Sequence, residues 1–172
     1  MEKIIHHPVF FTATIKDWKT LLQREKYKII ILKKLQYLVH EDKIILYAYC
    51  LMDNHIHLIW QVKGNHNPSE IQKYFLENIA KHIKNDLELL HPNVLKLFVS
   101  TQKNRSYHIW KRRPFSFELF TDDVFNQKLD YIHYNPVSAG LCSLPEEYPF
   151  SSARFYFDGS DQWNMLTSHC NG

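Results

Sequence analysis

One short stretch of the sequence has residue types and spacing that could support metal chemistry: Asp53-Asn54-His55-Ile56-His57-Leu58-Ile59-Trp60. It is apolar and β-branched at several positions, which predicts a strand. Side chains of a strand alternate between faces. His55 and His57 therefore point one way, and Asn54, Ile56 and Leu58 the other. With Ile56 and Leu58 toward a core, two imidazoles stand side by side on the opposite surface. Neutral imidazole is a good metal ligand, and a strand holds the pair rigidly. A His-x-His taken alone is more often two polar residues on a solvated strand face. The rest of the chain has to decide between the two readings.

A second group is cationic. Lys103, Arg105, Lys111, Arg112 and Arg113 cluster among Tyr107, His108 and Trp110. Cations neutralise phosphates and aromatic rings stack on unpaired bases, so the mixture suits single-stranded nucleic acid. An exposed basic turn beside core aromatics explains it equally well.

The hydrophobic pattern gives the elements that must position these residues. Val9 to Ile15 has high β propensity and predicts a first strand. Asp17 is placed to cap the helix after it. Trp18, Leu21, Leu22 and then Ile29 to Leu38 recur at helical spacing, predicting one or two helices up to about His40. Ile44 to Met52 predicts a second strand, apolar almost throughout. Asp53-Asn54 suits a tight turn, so this strand and the histidine strand make an antiparallel hairpin. Asn67-Pro68-Ser69-Glu70 opens a helix with an N-cap, a proline at the first helical position and a capping-box Glu. Ile71, Phe75, Ile79, Ile83 and Leu87 form its buried stripe. Lys73, Lys81, Lys84 and His82 lie on its other face, which reads as solvated. His91-Pro92 stops this helix. Tyr107 to Trp110 reads as a further strand. Thr121 caps a second long helix, with Asp122 and Asp123 favourable to its dipole. Phe125, Leu129 and Ile132 are its buried side. Tyr131 lies off that side with Asn135 four residues on, so both can project from one face. Pro136 is expected to end the helix, leaving Asn135 in a distorted last turn.

Composition narrows the class. The chain has 172 residues, 45% hydrophobic and 23% charged, which fits one domain with a sizeable core. The formal charge of +3 permits a nucleic-acid partner without requiring one. Cys50, Cys142 and Cys170 are widely spaced, with no Cys-x-x-Cys, which argues against a cysteine zinc site and a secreted disulfide scaffold. Cys50 lies in an apolar run and reads as a buried thiol. No stretch is apolar enough to span a bilayer and no signal-peptide pattern occurs, so a cytoplasmic location and no membrane partner are expected. The element order fits an α+β fold, an antiparallel sheet with helices on one face and the histidines on the other. Residues 1–172 are expected to form a single domain, with 141–172 as a C-terminal covering arm.

Two motifs carry a resemblance. Asn54-His55-Ile56-His57-Leu58 resembles the His-hydrophobic-His strand of the HUH single-tyrosine transposases. Tyr131-Ile132-His133-Tyr134-Asn135-Pro136-Val137-Ser138-Ala139-Gly140-Leu141 resembles the signature of their REP-associated, IS200-like branch. The motifs occur in the family's order, and Ala48-Tyr49-Cys50-Leu51-Met52 before the histidines also fits. The resemblance implies a ferredoxin-like domain acting on single-stranded or hairpin DNA, as monomer or homodimer, with Mg²⁺ or Mn²⁺. It implies Tyr131 as nucleophile, making a 5′-phosphotyrosine, and His55, His57 and Asn135 as metal ligands. Lys103, Arg105, Lys111, Arg112 and Arg113 are then expected to contact DNA. Tyr134, three residues from Tyr131, is the rival nucleophile on a neighbouring helix face. Two other classes stay open: a catalytically inactive or domesticated nucleic-acid-binding module, and a metallohydrolase that activates water on the histidines.

Overall fold

The computed structural model describes residues 4–104 and 106–169. Four strands form one antiparallel sheet: β1 (Val9–Thr14), β2 (Ile44–Leu51), β3 (His55–Val62) and β4 (Phe115–Glu118), in the order β2-β3-β1-β4. The order is that of a β-α-β-β-α-β ferredoxin-like unit. Helix α1 (Glu25–His40) connects β1 to β2, and α2 (Pro68–Leu90) leads away from β3. Short α3 (Pro92–Leu95) comes next, then β4, α4 (Asp122–Ser138) and short α5 (Ala153–Asp158).

Strand alternation divides the core into two layers. Phe11, Ile56, Leu58 and Trp60 face α1 and α2, where they meet Ile31, Leu35, Phe75 and Ile79. Phe10, Cys50 and Ile59 point to the other side, where Phe125 and Ile132 of α4 cover them. One face of the sheet is thus sealed by two helices and the opposite face is crossed by α4.

Helix α2 forms as the pattern predicts. Asn67 accepts hydrogen bonds from the amides of Ser69 and Glu70, Pro68 takes the first helical position, and Ile71, Phe75, Ile79, Ile83 and Leu87 are buried. The β2–β3 hairpin turns at Asp53-Asn54, and Asp53 pairs with the buried Lys28 ammonium at 2.8 Å. The chain beyond Leu144 packs along β2. Ser152 Oγ accepts from the Tyr49 amide at 2.9 Å, and the Thr167 amide donates to the Leu46 carbonyl.

Three local expectations are corrected. Tyr107 to Trp110 makes only isolated bridges, to Val99 and Ile15, and the fourth strand is Phe115–Glu118. Trp110 is instead a core plug whose indole N–H donates to the Leu76 carbonyl at 3.0 Å. Pro136 does not end α4, which continues to Ser138. A proline near a helix C-terminus removes one backbone bond, and Pro136 is itself buried, so packing offsets the loss. Asp17 caps nothing: it sits at φ 54° inside a short 3₁₀ turn with no capping bond.

Candidate nucleic-acid-processing site

Strand β3 sets the two histidines on the α4 side of the sheet. Their rings lie 4.7 Å apart, centroid to centroid. Antiparallel register puts Thr14 opposite His55 and Thr12 opposite His57. The hydroxyl of Thr12 meets His57 Nδ1 at 2.7 Å. His55 Nδ1 donates to the Asn54 side-chain carbonyl at 2.7 Å, because an amide oxygen can only accept. That fixes His55 with its lone pair on Nε2. His57 Nε2 is buried and has no hydrogen-bond partner.

Helix α4 delivers the rest. Lys128, Tyr131 and Asn135 are spaced at three and four residues, so one helix face carries all of them over the sheet. The Tyr131 ring meets His57 edge to face, with centroids 5.4 Å apart, and Phe10 at 6.1 Å. The Asn135 side chain neighbours His55 and opposes the lowering of its pKa. His55, His57, Tyr131 and Asn135 line one cleft of about 590 Å³. Tyr134 is exposed and does not line it. His133 turns into the core, where its Nε2 meets Ser152 Oγ at 2.8 Å and burial lowers its pKa to about 4.

The electrostatics favour neutral imidazoles. Burial, then the neighbouring His55, then the Lys128 charge lower the His57 pKa to about 3. Burial also lowers His55, against the opposing effect of Asn135. Both rings are therefore neutral at neutral pH, the form that binds a metal. The donor set suits a hard-to-borderline divalent cation: two imidazole nitrogens and one amide oxygen, with no thiolate. Among the described residues no group of three or more His, Cys, Asp or Glu could hold a metal.

The cationic cluster divides. Lys111 and Arg113 line the cleft, and Lys111 Nζ lies 5.2 Å from the Trp18 ring centroid. Arg112 lies on the other side of the same segment. Lys103 is exposed and lines neither cleft, and Arg105 lies outside the described residues, as does Cys170.

Against known proteins, a curated Haemophilus influenzae protein named "Putative REP-associated tyrosine transposase" is 29% identical over 106 residues, which is 61% of this chain and 56% of that one. The chain thus spans little more than half the length of that relative. A solved structure described as a REP-associated tyrosine transposase bound to a REP hairpin superposes over 100% of this chain and 92% of its own, at TM-score 0.65 and 17% identity. The resemblance to REP-associated tyrosine transposases is borne out. The α+β fold is shared with that structure as well. No protein-family model matches the chain.

Sequence reasoning missed two residues at the cleft. Thr12 gave no signal, because its role depends on strand register. Lys128 did give one: it lies three residues before Tyr131, on the helix face that also carries Asn135. Its ammonium sits 5.4 Å from the Tyr131 ring centroid and 5.3 Å from that of Phe10.

Proposed function

We propose that this chain cleaves and rejoins single-stranded DNA through a covalent tyrosine intermediate. The observation that carries the reading is the packing of the Tyr131 ring against His57, whose Nε2 is buried without a partner. His55 and His57 would hold a Mg²⁺ or Mn²⁺ ion through their Nε2 atoms, with the Asn135 amide oxygen as third ligand. Such a cation supplies Lewis-acid polarisation of the scissile phosphate.

The chain's own residues do the rest. Tyr131 loses its phenolic proton to solvent and its oxygen attacks phosphorus. The bond to the 3′-oxygen breaks and that oxygen takes up a proton from solvent, leaving a 5′-phosphotyrosine and a free 3′-hydroxyl. The phosphoester keeps the bond energy, so a second 3′-hydroxyl can reverse the step. Lys128 and Arg113 supply positive charge around the phosphate, and Trp18 offers an exposed ring for a base. Hairpin DNA is the substrate class best supported, because the similar solved structure is described as bound to one. Among the described residues no helix is long and apolar enough to cross a membrane.

The test is incubation of the full chain with a hairpin oligonucleotide carrying a single-stranded flank, with and without Mn²⁺. An SDS-stable protein–DNA adduct is expected with metal and absent in Tyr131→Phe. Cleavage that survives Tyr131→Phe would point to activated water instead. Binding with no adduct under any condition would leave a DNA-binding module.

A further inference from the structure

Lys73 and Lys81 on α2 are exposed, as expected of a solvated face, and Lys84 is half-buried. A cleft of about 710 Å³ runs between α2 and the segment 107–114. Lys73, Lys81, Lys84, Lys111, Arg112 and Arg113 line it, and Glu77 is the carboxylate among its lining residues. Its floor is apolar, formed by Leu76, Ala80, Ile109 and Trp110. Tyr107 adds a half-buried aromatic ring, with Lys84 Nζ 5.5 Å from its centroid.

This groove is continuous with the Tyr131 cleft. Lys111, Arg113 and Pro114 line both. The shared segment is anchored to the end of β1, where the Lys111 amide donates to the Thr14 carbonyl and the Lys16 amide to the Ile109 carbonyl. It therefore wraps the sheet edge, with Tyr131 and the histidines on one side and the α2 lysines on the other. Arg113 takes a left-handed φ of 58° as the chain turns toward β4.

We infer that the α2 groove binds an unpaired stretch of the DNA strand whose scissile phosphate lies in the Tyr131 cleft. Two features select an unpaired strand. A cationic rim tracks a phosphate backbone, and an apolar, aromatic-bearing floor receives bases that a duplex would keep stacked inside. The saddle formed by Lys111 and Arg113 carries the strand round the sheet edge. The route between the clefts rests on the proposed strand-cleavage reading, whereas the groove's own affinity for single strands does not.

Binding is measured by fluorescence anisotropy on the full chain, in EDTA, with labelled oligothymidine of about 20 nucleotides, long enough to cover a site of the size single-strand binders use. Lys81→Gln/Lys84→Gln removes two charges far from Tyr131. Each lost phosphate contact should lower the slope of log affinity against log salt by ~0.7, so by ~1.4 for the pair, with affinity falling roughly tenfold at moderate salt. Wild-type affinity and slope in a variant with unchanged circular dichroism would overturn the inference. If the double variant does not fold, the single variants are read in the same way. Tighter lysine-dependent binding of a blunt duplex of equal length would overturn the assignment to an unpaired strand. Covalent adduct formation is not the readout, so a catalytically silent protein leaves this result intact.

Discussion

The Tyr131 ring lies edge-on to His57, with centroids 5.4 Å apart and planes at 71°, although one residue sits on α4 and the other in the middle of the sheet. The contact sets the phenol ring against the His57 ring, whose buried Nε2 has no hydrogen-bond partner. Tyr134, one short step along the helix, points to solvent. Tyr134→Phe should therefore form the covalent adduct at near wild-type rate, while Tyr131→Phe forms none. Denaturing gels with labelled oligonucleotide distinguish the two, and loss of the adduct in Tyr134→Phe would reassign the nucleophile.

The Thr12 hydroxyl meets Nδ1 of His57, the ring nitrogen nearer the backbone. A hydrogen bond to the non-ligating nitrogen orients an imidazole and fixes which nitrogen carries the lone pair. Thr12→Val keeps the shape and removes the hydroxyl. Mn²⁺ affinity, read by calorimetry, should fall by about 10–100-fold, the usual effect of losing such a partner. Unchanged affinity would show that the sheet alone orients the ring.

Lys128 spans Phe10, Phe117 and Tyr131, with its ammonium about equally far from all three rings. Lys128→Met preserves the aliphatic packing and removes the charge. Adduct formation should slow by roughly 100-fold, the scale of losing one fixed electrostatic group at a reacting centre. The melting temperature should barely move. A large stability loss with an unchanged rate would make Lys128 structural.

Asp53 is the partner of Lys28, which is almost fully buried beneath the Tyr148 and Phe150 rings. Removing one member of a buried pair strands the other charge. Asp53→Ala should destabilise the fold by about 2–3 kcal/mol, less than a fully buried pair would lose, because Asp53 is 30% exposed. Urea unfolding measures it, and Lys28→Met/Asp53→Ala should recover most of the loss.

Those residues also show where sequence reading succeeds. Helix α2 was legible because its signals are local: the Asn67 cap, Pro68 and a stripe at intervals of four. The histidine pair was legible because strand parity needs only neighbours. Tyr131 and Asn135 came from helical spacing on top of the family resemblance. Thr12 could not be found this way, because its contact is made across strands by register. The β4 strand failed for a similar reason. Phe115–Glu118 is only four residues long and exists by pairing with β1, whereas Tyr107 to Trp110 is more apolar yet uses that character to plug the core. The groove beside the α2 lysines was not legible because its second wall arrives from a distant segment.

Helix α4 carries a further consequence at its far end. Pro136 has no amide hydrogen, so the Ile132 carbonyl receives no bond from one turn ahead. Asn135 stands just before that gap, so the helix still fixes the spacing between its amide and the Tyr131 phenol.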